Sequence, residues 1–183
     1  MSLARTRIAV RLIAVAALAA LTAGCFQPMY AEHADGTPGL REKLMGVEVP
    51  PVDKNNASRE ARIQVEIRNA LAFKLYGNAT GMPPTHRLVL RFNTSRSSLM
   101  VDPTTALPSS ENVNIDAQYN LIDIASNKSV MTGSTFSRVS YDLPGSLQRF
   151  SRQRAFRDAE DRAAQEIAEN IQTRLASFFT AGT

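Results

Sequence analysis

Asn112-Val113-Asn114-Ile115-Asp116-Ala117-Gln118-Tyr119-Asn120-Leu121 alternates a polar with an apolar side chain at every step. Successive side chains of a strand point to opposite faces, so this segment reads as a β-strand with one dry and one wet face. Upstream, Leu88, Leu90 and Phe92 alternate with Arg87, Val89, Arg91 and Asn93, which gives a second strand of the same kind. Between them, Ser95 to Ser110 is polar and contains Pro103 and Pro108, the pattern of a strand end followed by a long loop. Downstream, Ser126-Asn127-Lys128 turns the chain. Val130 to Tyr141, rich in Thr, Ser, Val and Phe, returns as the antiparallel partner until Asp142-Leu143-Pro144-Gly145 breaks it.

A sheet with one dry face needs a cover, and two amphipathic helices supply it. Ile63, Ile67, Ala70, Leu71 and Leu75 recur at helical spacing, after N-cap candidates Asn55, Asn56 and Ser58 and before the C-cap candidate Gly77. The second helix, Phe150 to Phe179, repeats Ala155, Ala159, Ala163, Ile167, Ile171, Leu175 and Phe179 every four residues. Ala164, Ala168 and Phe178 widen the stripe, and its alanines allow close approach to a sheet. Lys43 to Val49 reads as a further short strand, closed by Pro50-Pro51. The expected architecture is α+β: a two-layer sandwich in which a mostly antiparallel four-stranded sheet is covered by two amphipathic helices.

The N-terminus carries a different message. Arg5, Arg7 and Arg11 precede an uninterrupted apolar run, Leu12 to Leu21, and then Thr22-Ala23-Gly24-Cys25. A basic region, a short apolar region and small residues before a cut site make a secretory signal. The single cysteine of the chain at that cut supplies a thiol that can be acylated. This resembles a bacterial lipobox, with Thr22 where Leu is usual and Leu21 one step earlier. An ordinary export signal with an incidental cysteine is the alternative. The resulting division is 1–24 signal peptide, 25–40 lipidated tether and 41–183 folded domain. The tether contains Pro28, Gly36, Pro38 and Gly39.

Removal of the leader takes away three arginines and no acid, leaving 18 basic and 17 acidic side chains. The pI of 9.6 therefore overstates the basicity of the mature chain and is no argument for nucleic acid. With Cys25 the lone cysteine, no internal disulfide forms, and stability rests on the core.

The sequence offers little to catalysis. His33 and His86 are far apart and have no cysteine to join them as a metal site. Neither a Gly-rich phosphate loop nor a G-x-S-x-G elbow is present. Glu160-Asp161 points in two directions on a helix and reads as a solvated pair for Arg157 and Arg162 rather than an acid–base couple. No enzyme, metal or cofactor is expected. Arginines are more suggestive, because guanidinium groups bind phosphate in bidentate fashion. Arg87, Arg91, Arg96 and Arg138 lie on or beside the strands and are candidates for an anionic lipid head group. The bland alternative is a charged face that keeps an edge strand soluble.

Cys25-Phe26-Gln27-Pro28-Met29-Tyr30 resembles the start of mature proteins of the LptE lipopolysaccharide-assembly family, commonly C-G-F-Q-P-L-Y-G, without the first Gly and with Ala31 in place of the second. The segments Arg154 to Ala164 and Ile171 to Phe179 resemble its alphaproteobacterial branch. The resemblance implies an outer-membrane lipoprotein, periplasm-facing and anchored through Cys25 by acyl chains such as palmitate. Its implied partners are the LptD β-barrel, which it would plug and help assemble, and lipopolysaccharide, which it would help deliver. It implies no catalysis. A stand-alone lipid-binding or structural envelope lipoprotein is the alternative. It would need an apolar groove, whereas each element here shows one apolar face and none to spare.

Overall fold

The computed structural model of the chain describes residues 36–51, 58–77, 82–143 and 148–181. Cys25, the rest of the tether as far as Asp35 (His33 included), and the candidate caps Asn55 and Asn56 lie outside the described residues. The chain divides into a unit up to Gly39 and one from Leu40 onward. The second holds, in order, α1 (Leu40–Met45), β1 (Val47–Glu48), α2 (Arg59–Tyr76), β2 (His86–Val101), β3 (Pro108–Asp123), β4 (Lys128–Asp142) and α3 (Arg149–Ala181).

The four strands form one sheet in the order β1-β2-β3-β4, with β1 parallel to β2 and the other pairs antiparallel. The alternation in β3 fixes the faces. Val113, Ile115, Ala117, Tyr119 and Leu121 are all buried. In register with them are Leu88, Leu90, Phe92 and Thr94 of β2 and Met131, Gly133, Thr135, Ser137 and Val139 of β4. Against this face pack α2 and α3, which bury Ile63, Ile67 and Leu71 from one helix and Ile167, Ile171 and Leu175 from the other. Each such side chain contributes roughly 1.5–3 kcal/mol on leaving water. Ala159, Ala163, Ala164 and Ala168 are also buried, so the first half of α3 approaches its neighbours closely, as their size allows. The α+β two-layer expectation holds.

Helix ends follow their capping chemistry. Ser58 Oγ accepts from the Ala61 N–H at 3.1 Å, and Gly77 closes α2 at φ 64° while its N–H donates to Phe73 O. Tyr76 then ties α2 to the sheet, donating to Val47 O at 2.5 Å and accepting from Val49 N at 3.0 Å.

Two local expectations are corrected. Lys43 to Val49 is not one strand. Leu40 and Leu44 sit four apart, fall on one helical face and are both buried, so the chain is helical to Met45. Only Val47 and Glu48 pair with β2. The polar stretch Ser95 to Ser110 is mostly strand, and the loop shrinks to residues 102–107. Backbone pairing needs no apolar alternation, and the turn is held by Asp102. Its carboxylate accepts from the N–H groups of Thr104 at 2.7 Å and Thr105 at 3.3 Å, and Ala106 adopts φ 55°.

The acidic pair of α3 also differs from expectation. Asp161 bonds Arg62 at 2.7 Å, and Arg162 pairs with Asp158 at 2.9 Å. Glu160, however, is only 1% exposed and is clasped by Arg59 and Arg62 of α2. Residue spacing within α3 could not reveal a partner that arrives from another helix.

Candidate functional site

Because the helices pack on one side of the sheet, the other side collects the alternate residues of three long strands. Register sets them in cross-strand rows. One row is Arg91, Gln118 and Ser134, and the next is Asn93, Asp116 and Phe136. Then come Ser95, Asn114 and Arg138, followed by Ser97, Asn112 and Ser140. Val89, Asn120 and Thr132 complete the opposite end. At about 6.8 Å per two residues, the strip is about 27 Å long, and three strands make it about 10 Å wide.

The side chains on this strip are linked to one another. Asn114 Nδ2 donates to Ser95 Oγ and Ser97 Oγ, each at 3.3 Å, and Ser129 donates to Asn120 Oδ1. Phe136 is 59% exposed in the middle of a polar surface, with the Arg138 guanidinium 5.1 Å from its ring centroid. Three shallow open depressions run along the strip. One of about 580 Å³ is lined by Arg91, Asn93, Asp116, Gln118, Ser134 and Phe136. A second of about 550 Å³ shares Arg91, Gln118 and Ser134 with it and extends to Asn120 and Thr132. A third of about 320 Å³ lies around Asn112, Asn114, Asp116 and Arg138.

The four candidate arginines are not brought together. Arg91 and Arg138 share the open face, and Arg91 makes no ion pair among the described residues. Arg87 lies at the sheet end, where its Nε donates to Glu48 Oε2 at 3.0 Å. Arg96 pairs in register with buried Val113 and so points to the helix-covered side, 4.8 Å from the Phe156 ring centroid. There Arg59 stacks on the same ring at 4.7 Å, and the Tyr141 hydroxyl donates to Glu111. Burial, and after it Glu111, push the Tyr141 phenol up to about 12.

His86 does not join a site. It meets Phe179 edge-on at 5.3 Å, and burial lowers its pKa against the opposing pull of Asp123. No group of side chains among the described residues has the makings of a metal site, and no described helix is long and apolar enough to cross a membrane.

Sequence reading missed the amides. Asn93, Asn112, Asn114, Gln118 and Asn120 were visible as the wet side of strands. The available signal was their residue type: Asn is depleted in strands, and here it clusters at strand positions.

A protein-family model described as LptE, Lipopolysaccharide-assembly, matches residues 44–175. No curated protein matches the chain at a significant level. Among solved structures, a candidate lipoprotein from Caulobacter crescentus CB15 superposes with a TM-score of 0.64 at 23% identity, covering 80% of this chain and 98% of that one. Rare lipoprotein B from Shewanella oneidensis superposes with a TM-score of 0.51 at 14% identity, covering 74% and 96%. At these identities the two structures speak to the fold.

Proposed function

We propose, for a chain that belongs to the LptE lipopolysaccharide-assembly family, the role of an outer-membrane lipoprotein that partners and plugs the LptD β-barrel during lipopolysaccharide delivery. The observation that carries the proposal is the family match over residues 44–175. The architecture supports it physically. A body inserted in a barrel lumen meets a polar wall. This domain buries its main apolar core between sheet and helices and keeps mostly amides, hydroxyls and a few charges on the open face, where Phe136 is the exposed aromatic.

Anchoring would come from Cys25, acylated after removal of residues 1–24. Each buried methylene adds about 0.8 kcal/mol and one chain alone holds weakly, so several chains are needed for slow release. The anchor faces the domain to the periplasm and raises its concentration near the barrel. Arg91 and Arg138, which share the open face, would meet lipopolysaccharide phosphates. Arg87 is paired with Glu48 at the sheet end, and Arg96 lies on the helix-covered side of the sheet.

Pull-down from outer membranes in mild detergent tests the role. Co-purification of a large barrel identified as LptD is the expected result. Isolation of the protein alone at full yield contradicts it. Mass spectrometry of the same material should find Cys25 at the N-terminus bearing acyl chains, and an unmodified thiol removes the anchor from the account.

A further inference from the structure

We infer that the open sheet face is a saccharide-binding surface whose ligand is a phosphorylated oligosaccharide, the sugar part of lipopolysaccharide rather than its acyl chains. The inference rests on the lipopolysaccharide reading above and narrows it to one part of that molecule.

The residue types carry the argument. A solvated strand face is ordinarily built from residues that favour strands, such as Thr. This face instead places Asn93, Asn112, Asn114, Gln118 and Asn120 on strands, with Asp116 at the centre of the middle one. Asn and Asp are depleted in strands, so the cluster works against local propensity. Natural sequences break such rules mostly where function demands it. What these side chains share is paired donors and acceptors. A primary amide offers two N–H donors and a carbonyl acceptor, and a carboxylate offers two acceptor oxygens. That set matches adjacent hydroxyls on a sugar ring, each of which both donates and accepts.

The second observation is Phe136. Its ring is 59% exposed beside Asp116 in register, where no other aromatic lies in the five rows. The Arg138 guanidinium lies over one side of the ring, and the rest of its exposed surface, next to amides, offers a platform for the C–H face of a sugar while neighbouring groups take its hydroxyls. Charge complements the phosphate. Arg91 and Arg138 flank Asp116 within the rows and leave the strip with a surplus of one positive charge. Acyl chains fit poorly, since the depressions are open and shallow rather than enclosed, and Arg91, Asn93, Asp116, Gln118 and Arg138 stand along them. A strip about 27 Å by 10 Å accommodates an extended oligosaccharide of several rings.

The test is calorimetric titration of the full-length lipoprotein with intact lipopolysaccharide, with deacylated lipopolysaccharide that keeps sugars and phosphates, and with the latter after phosphatase treatment. Deacylated material is expected to bind, and dephosphorylation to weaken binding several-fold without abolishing it. Asn114→Thr with Gln118→Thr should weaken binding of deacylated material about tenfold. Thr favours strands, so the thermal midpoint should hold or rise, which separates lost recognition from lost fold. Phe136→Ala, at an exposed position, should weaken binding as well. Binding of intact but not deacylated material overturns the inference while the lipopolysaccharide reading stands. So does unchanged binding in the folded double variant. Failure of intact and deacylated material alike to bind brings down both.

Discussion

Replacing Glu160 with Ala removes a carboxylate that is 1% exposed and clasped by two guanidiniums from the neighbouring helix. Taking one partner from a buried ion pair costs about 3–5 kcal/mol, because the remaining charge is left without compensation. Here the remaining charges are not sealed. The Arg59 and Arg62 side chains are 30% and 33% exposed, so water can reclaim part of what the carboxylate supplied. Arg62 also keeps its bond to Asp161 at 2.7 Å. A loss of about 2–3 kcal/mol follows, or roughly 5–10 °C in thermal midpoint for a domain of this size. Glu160→Gln keeps the shape and an acceptor but not the charge, and should cost about half as much. Asp161 provides the control. It binds the same Arg62 but is 44% exposed, so Asp161→Ala should cost under about 1 kcal/mol and depend on salt. Urea unfolding of the three variants, with unchanged m-values, gives the comparison. Equal costs for Glu160→Ala and Asp161→Ala would refute the reasoning, since burial and the second guanidinium partner of Glu160 are what separate them.

Other consequences are open to measurement. A Cβ at Gly133 would lie 2.5 Å from Tyr119 Cζ. Gly133→Ala should therefore destabilise by about 1–3 kcal/mol in urea unfolding, although Ala is the better residue for a strand by backbone entropy. Arg91→Glu with Arg138→Glu should lower lipopolysaccharide affinity by more than about tenfold and flatten its salt dependence, with the circular dichroism spectrum unchanged. Unaltered affinity would take both residues off the site. The phenols of Tyr76 and Tyr119 are raised by burial, and that of Tyr141 to about 12 by burial and Glu111. The folded state thus holds these protons more tightly than the unfolded chain, whose phenols ionise near 10. For Tyr141 the stabilising contribution is complete below pH 10 and fades between pH 10 and 12, and Tyr76 and Tyr119 contribute in the same direction, losing theirs as pH rises past 10. Ultraviolet titration should show most of the four tyrosines ionising late and together with unfolding. Ionisation at the ordinary pH in an intact fold would contradict it.

What the sequence revealed and what it hid have separable physical causes. β3 and α3 were legible because each sends one face to a single core, so the periods of two and about four survive in the residue pattern. The end of β2 was hidden because Ser95 to Val101 is largely exposed. Pairing there is a matter of backbone groups, and side chains record nothing of it. At Lys43 to Val49 one short apolar string is compatible with either a helix or a strand. Leu40, a position earlier than the expected domain start, tips the balance by pairing with Leu44. Glu160 was hidden for a third reason. Its partners lie about a hundred residues away, and no local spacing rule reaches that far.

The same reasoning explains why the candidate face was only half legible. Arg91 stood out because a charged residue on a strand invites a question. The amides did not, because polar residues on the wet side of an alternating strand look like ordinary solvation. Distinguishing a solvated face from a recognising one requires knowing which side chains the register brings into one row. Asp116 is unremarked alone, yet beside Asn93 and Phe136 it becomes the centre of a polar strip with an exposed ring. Arg96 shows the converse. In sequence it continues the series from Arg87 and Arg91, but it breaks their parity. Residues 87 and 91 are an even number of steps apart, whereas 96 is an odd number from either, and an odd step in a strand crosses the sheet. With the ladder unbroken from His86 to Ser98, that parity places Arg96 on the side of Phe156, whereas Arg87 keeps the parity of Arg91 but is held by Glu48 at the sheet end, so Arg91 and Arg138 are the two that share the open strip.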